Sequence, residues 1–293
     1  MRGCVKVAVC TNRTAAAIRE SLGSLEREVP PDRVAVVASG VGEEQAQAIT
    51  AEYPAAHLIR APAGLSLARN RALEWCADDD MIAFVDDDAV IQSGWYAALE
   101  RAWANAGERV ACIGGPIRPR FESPVPGWLS EPLLPALTIL DLGAAERELD
   151  PGETAVYGAN ISFRVRALRE VGGFDPELGH RGARVYFGEE DAAQRELAAR
   201  GWRVLYAPGV AVDHVIPAER LRRRSFVRRR FAYGVALGAR GGRSLPVALR
   251  QAASSAVGCI PAAVRRDGRL FMERAVRAAE NLGVVLSRVV RPR

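Results

Sequence analysis

Asp86, Asp87 and Asp88 stand side by side directly after the apolar run MIAFV at 81–85. Three adjacent carboxylates repel one another, so something cationic should offset their charge. A hard divalent ion, Mn2+ or Mg2+, carrying the diphosphate of a nucleotide suits that task. The plainer reading is a solvated acidic turn that caps a helix near Ser93. Position favours the ion, because the acids follow a strand-like segment, at the edge where α/β sheets bind ligands. Asp78, Asp79 and Asp80 precede the same segment and read as a solvated turn at the other edge.

Four further groups could join that chemistry. Thr11, Asn12, Arg13 and Thr14 follow the first strand-like run; they could line a nucleotide pocket, or Asn12 or Thr14 could cap the next helix. The segment AGLSLARNRAL (63–73) reads as a glycine turn opening a helix, whose free amides attract phosphate, with Arg69 and Asn70 in its first turns. A surface arginine on an amphipathic helix would look the same. Glu189, Glu190 and Asp191 sit at a predicted helix start, where acids suit the helix dipole and a general base could also stand. His214 follows the run VAVD and becomes a ligand only if the fold returns it to the aspartates.

These residues need a scaffold, and the first half supplies one. VKVAVC (5–10), VAVVA (34–38), HLIRA (57–61), MIAFV (81–85) and VACIG (110–114) read as strands buried on both faces. Residues 14–28, 43–53, 66–77 and 93–106 read as helices between them. That alternation predicts an α/β fold with a mostly parallel, doubly wound sheet. Pro116 to Glu153 breaks the pattern and reads as a long, proline-rich excursion that includes Trp128, a candidate binding loop. A strand at 157–163, a helix near 189–200 and strands at 203–207 and 210–213 follow, and the chain from Ala218 onward reads as helical and basic.

The 293 residues suffice for one large domain, or for one domain with an appendage. No run of about 18 apolar residues is visible, so no membrane-spanning helix is expected. Nor does the N-terminus resemble a signal peptide. Cys4, Cys10, Cys76, Cys112 and Cys259 are scattered without metal-ligand spacing and read as thiols of a reducing cytoplasm. The net charge is +5, yet nine arginines face one acid between Ala218 and Arg243. Such a cluster could be a solvated helix face or a contact with the inner face of a membrane.

Taken in order, CTNRT (10–14), GLSLARNRAL (64–73), FVDDDA (84–89), GW (94–95), YGANISFRVRALREVGGFD (157–175), GEED (188–191), GWRVLYAPGVAVDH (201–214) and RRRFAYG (228–234) resemble the family 2 glycosyltransferases of the GT-A fold. The resemblance implies a catalytic domain over 1–217, with a nucleotide-sugar part (1–115) and an acceptor and base part (116–217). A basic helical extension over 218–293 follows, whose Arg222, Arg223 and Arg224 would close over the donor diphosphate. It implies that Thr11, Asn12, Arg13 and Arg69 hold the nucleotide, with Asp86 and Asp87. Asp88, His214 and Asp86 would form the metal shell, and Gly158, Ala159 and Asn160 would line the donor sugar. Where the family ends its second strand with an aspartate that reads uracil, this chain has Ala38 and Ser39; Ser39 is the candidate, and the base stays open. Glu190 takes the place of the general base, with Asp191 as fallback and Glu189 and Trp128 toward the acceptor.

The implied reaction moves a sugar, with inversion, from a nucleoside-diphosphate sugar to a small-molecule or lipid-linked acceptor. A nucleotidyltransferase on a related fold would use the same metal and carboxylates but not the GEED helix. An arginine-rich nucleic-acid-binding protein would explain the charge alone; no nucleic-acid motif or aromatic platform accompanies it, so no nucleic-acid partner is expected.

Overall fold

The computed structural model describes residues 3–178, 180–181, 184–185, 188–239 and 243–289. Its first third alternates as the apolar pattern requires: β1 (Val5–Thr11), α1 (Ala15–Glu28), β2 (Val34–Ser39), α2 (Glu43–Glu52), β3 (His57–Ala61), α3 (Leu65–Glu74), β4 (Met81–Val85), β5 (Ala89–Ile91), α4 (Trp95–Asn105) and β6 (Val110–Gly114). Next come β7 (Ile117–Phe121), β8 (Arg147–Leu149), β9 (Asn160–Arg164), α5 (Val165–Glu170) and the two-residue strands β10 (His180–Arg181) and β11 (Arg184–Val185). The chain closes with α6 (Glu189–Ala199), β12 (Arg203–Tyr206), β13 (Val212–Ile216), α7 (Arg223–Ala239), α8 (Leu245–Val264) and α9 (Gly268–Val289).

Eight strands form one sheet in the order β3-β2-β1-β4-β9-β6-β12-β8. β3, β2, β1 and β4 run parallel to one another, as β6 and β12 do to each other. Only β9 and β8 are antiparallel to the strands beside them. The sheet is therefore mostly parallel, as expected. Every residue of β2 and β6 is buried, as continuous apolar runs covered on both faces should be. β3 departs from that expectation: it is the edge strand, and His57, Leu58 and Arg60 are exposed.

Spacing explains how the helices cover this sheet. Ile18, Leu22 and Leu25 recur at helical intervals along α1 and are fully buried. On α4 the buried stripe is aromatic, and its polar tips are used. Trp95 Nε1 donates to Asn160 Oδ1 at 3.1 Å and Trp103 Nε1 to Ser162 Oγ at 3.0 Å. Two indoles thus pin α4 to alternate residues of β9. Asp80, read from sequence as a solvated acid, is buried: it accepts from the Cys4 amide at 3.0 Å and pairs with Lys6 at 3.2 Å, tying the start of β1 to that of β4. All five cysteines are free.

The chain divides into two compact units. The first is Met1–Pro119, Ile139–Ala183 and Gly188–Val215; the second is Arg120–Thr138, Arg184–Phe187 and Ile216–Arg293. The last boundary falls beside the expected one at 217, but the excursion is split. Its middle, 120–138, belongs with the C-terminal helices and holds a 3-10 helix at Glu131–Leu137, which is why no α or β period was visible there.

In the second unit α7 and α9 approach so closely that a Cβ on Gly234 would lie 1.9 Å from the Glu280 carbonyl oxygen. Only glycine permits that contact. Buried Glu280 accepts an ion pair from Arg230 and another from Arg243, the latter at 3.2 Å. α8 corrects the expectation that no helix could span a membrane. It has 20 residues with a mean hydropathy of 1.3, long and apolar enough by length and composition. Arg250, Gln251, Ser254 and Ser255 interrupt the apolar run without lowering its average enough. Leu249, Val257, Ile260 and Val264 are exposed along it.

Candidate active site

β1 and β4 are parallel neighbours, so the residues after each emerge at one edge of the sheet. There Thr11 Oγ1 donates to Asp87 Oδ2 at 2.5 Å. Arg13 Nη1 lies 3.5 Å from Asp87 Oδ1 and 3.6 Å from Asp88 Oδ2. The acid run leads not straight into a helix but into β5, which pairs antiparallel with β13. That register sets His214 opposite Ala89, so His214 Nε2 comes within 3.3 Å of Asp88 Oδ1. His214 thus lies inside a strand rather than after one, and its ring is buried.

Arg69 is the centre of the other half. It was expected to touch the nucleotide; it is instead only 2% exposed, the fifth residue of α3, held behind the acids. Its guanidinium carbon is 5.5 Å from the ring centres of both Phe84 and Phe174. Nη1 meets Glu189 Oε1 at 2.9 Å and Glu190 Oε2 at 3.9 Å, while Nη2 is 3.5 Å from Asp86 Oδ1. A Cβ on Gly158 would stand 2.2 Å from Nη2, so this glycine clears room for the arginine.

Five carboxyls therefore surround two guanidiniums. Burial pushes Glu189 up to about 8, with Glu190 adding repulsion and Arg69 opposing it. Burial pushes Asp86 up to about 6 against the pull of Arg69, and raises Asp87 against the Thr11 hydrogen bond. The site has more acid than its own cations balance.

Several expected contacts are spent inside the protein. Asn160 Nδ2 donates to the carbonyls of Pro116 at 3.2 Å and Val210 at 2.6 Å, and its Oδ1 holds Trp95; buried, it fixes the approach to β13. Ala159 is buried too. Ser39 Oγ donates to the Pro62 carbonyl at 2.9 Å and accepts from the Gly64 amide at 3.2 Å, so it braces the turn before α3. Thr14 is the N-cap of α1, without a side-chain bond to it. Asn12 is exposed, and its carbonyl accepts from Gln45 at 3.1 Å. Asp191 pairs along α6 with Arg195 at 3.1 Å. Glu189 is buried on Arg69 rather than turned to an acceptor.

Trp128 is also buried, edge-on to Phe226 at 5.3 Å in the second unit, which leaves its indole little surface for an acceptor. Arg222, Arg223 and Arg224 belong to the second unit as well. Sequence reasoning missed Phe174. Its backbone is held at both ends by Asn70, which donates to its carbonyl at 2.7 Å and accepts from its amide at 2.8 Å. The ARN and GGFD segments, read separately, were two halves of one contact.

A mostly parallel sheet presenting this acid-lined edge is the GT-A arrangement of enzymes that transfer sugars. The chain belongs to the family described as Glycosyltransferase like family 2, which it matches over residues 2–234. It is therefore a glycosyltransferase, and the nucleotidyltransferase and nucleic-acid-binding readings give way. A glucosyl-dolichyl phosphate glucuronosyltransferase of Haloferax volcanii is 30% identical over 152 residues, 52% of this chain and 47% of that relative. The chain thus aligns with about half of that relative's length. The succinoglycan biosynthesis protein ExoM of Rhizobium meliloti is 28% identical, with 96% of this chain and 91% of the relative covered. Among solved structures, GalNAc-T7 with UDP, GalNAc and Mn2+ is alike in fold: TM-score 0.54 and 14% identity, over 82% of this chain and 51% of that one.

Proposed function

We propose that this enzyme moves a sugar from a nucleoside-diphosphate sugar to an acceptor hydroxyl or amine, in one inverting displacement assisted by a divalent cation. The observation that carries the reading is the excess of carboxyls at the sheet edge. Even with Glu189 largely protonated near neutral pH, four acids against two arginines would repel a diphosphate, unless a cation arrives with it. Among the described residues no three His, Cys, Asp or Glu side chains are grouped to hold a metal ion. Asp88 and His214, 3.3 Å apart, offer two donors of the right chemistry, and donor oxygens can supply the rest. Asp86, committed to Arg69, is the weaker third ligand. Mn2+ or Mg2+ bound there would offset charge on the departing diphosphate.

The chain's own groups do the remainder. Thr11 and Arg13 hold Asp87 at the nucleotide edge. Glu190 is partly open and only loosely engaged by Arg69, so its carboxylate takes the acceptor proton as the new bond to the sugar forms and the bond to diphosphate breaks. Asp191, paired with Arg195, is less free to do so. For the acceptor we favour a lipid-linked sugar. One relative's name records glucosyl-dolichyl phosphate, and exposed Leu249, Val257, Ile260 and Val264 suit work beside a membrane. We place the enzyme in the cytoplasm at the inner membrane face, a setting consistent with its free thiols.

Glu190→Gln tests the centre of this reading. Donor binding, measured by calorimetry with Mn2+, should persist while transfer falls by about 10²–10⁴-fold. Retained activity there, with loss in Asp191→Asn, would move the base by one residue.

A further inference from the structure

The second unit holds a cavity of about 550 Å³ whose lining belongs entirely to that unit. Arg230, Arg243, Arg250, Arg274 and Arg277 all contribute to it. So do two acids, and both are engaged: Glu280 is bound by Arg230 and Arg243, and Glu273 accepts from Ser130 at 2.6 Å. Arg250, Arg274 and Arg277 have no carboxylate partner within 4 Å among the described residues. These three guanidiniums face one cavity, Arg250 and Arg277 from exposed positions, and an anion bound there would relieve their mutual repulsion. Gln251, Ser254 and Ser255 of α8 add neutral donors, while Leu133 and buried Val276 close part of the wall against water.

From this geometry we propose that the second unit has its own phosphate-binding site, separate from the sugar-transfer site, for a phosphorylated ligand or headgroup. Guanidinium forks match phosphate oxygens in pairs, and a group with two or more negative charges answers the charge that Arg250, Arg274 and Arg277 leave open. The composition around it agrees: from Ile216 to Arg293 the chain has 18 arginines and four acids. Glu280 sets the frame, since its two ion pairs hold Arg230 and Arg243 in place at the glycine contact between α7 and α9.

The test uses the full chain in EDTA, so that metal-borne binding at the sugar-transfer site is removed. Inorganic pyrophosphate is titrated by calorimetry at low salt, and vesicles of phosphatidic acid or of phosphatidylglycerol, at equal surface charge, are tested by flotation. Saturable pyrophosphate binding identifies a free phosphate ligand; preference for phosphatidic acid without pyrophosphate binding identifies a headgroup. In either case Arg250→Gln/Arg277→Gln should weaken binding at least about ten-fold, because charge-assisted hydrogen bonds are lost. Asp88→Ala should bind as the parent does, even if it transfers no sugar. The single Arg277→Glu variant, at an exposed position, guards against a folding failure in the pair. No saturable binding to either probe, equal capture by both lipids, or binding unchanged in the arginine variants would overturn the site.

Discussion

Arg69→Leu is the perturbation that most directly probes the site's electrostatics. The guanidinium is buried against Asp86, Glu189 and Glu190, and leucine would keep the packing on Phe84 and Phe174 while deleting the charge. Removing one partner from a buried charge network costs about 3–5 kcal/mol. For a unit of this size each kcal/mol moves Tm by about 2–4 °C, so the drop should be roughly 6–20 °C. Its pH dependence has a defined sign. Asp86 at about 6 and Glu189 at about 8 both stand above their unfolded values of 3.8 and 4.5. The folded protein therefore keeps protons that the unfolded chain has released, and these two groups make it less stable as pH rises through those windows. Without Arg69 both values climb further. The mutant's deficit should be smallest below pH 6, where Asp86 and Glu189 are mostly protonated, and should grow through pH 6 to 9. Thermal melts of parent and mutant at pH 5.5 and 9 measure this. A deficit that is equal at the two pH values, or larger at 5.5, would refute the reasoning; so would failure of Arg69→Leu/Glu189→Leu to recover stability at pH 9.

Gly158→Ala should lower Tm by roughly 2–12 °C, since overpacking costs about 1–3 kcal/mol. In an Arg69→Ala background, where the methyl has room, the same change should cost little, and melts of the four proteins decide it. Asp88→Ala should weaken Mn2+-dependent UDP binding at least about ten-fold, as even outer partners of metal ligands matter that much. Unchanged calorimetric affinity would remove Asp88 from the shell. Ser39→Ala should leave the ranking of uridine, guanosine and thymidine diphosphates unaltered, because its hydroxyl is spent on Pro62 and Gly64; an altered ranking would return Ser39 to the base.

What the sequence made legible was whatever local pattern determines. Continuous apolar runs announced β1, β2, β4 and β6, and helical spacing announced α1 and α4, because one residue's burial follows from its neighbours'. The acid run was visible for the same reason. Its partners were not: Arg69 and Glu189 are 120 residues apart, and no periodicity reports such a contact. The burial of Arg69, read as a nucleotide contact or else a surface arginine, was not legible because only Gly158, Phe84 and Phe174 together make a chamber for it. β5 was missed because three residues carry no period, although it is the strand that brings His214 to Asp88. Asp80 was misjudged because burial came from β1, not from its own segment.

The placement of residues 120–138 with the C-terminal helices has a consequence for how the chain leaves the ribosome. Trp128 emerges 98 residues before Phe226, the ring that will cover it. At about 5–20 residues per second, that segment waits on the order of 5–20 s with its indole and Leu133 in water. The first unit, apart from that loop, can close as soon as Val215 is out. Only over the last 11 residues of that interval, from Val215 to Phe226, can a formed sheet accompany the uncovered loop, a natural client for a chaperone. A chain stopped at 217 would keep that loop uncovered for good.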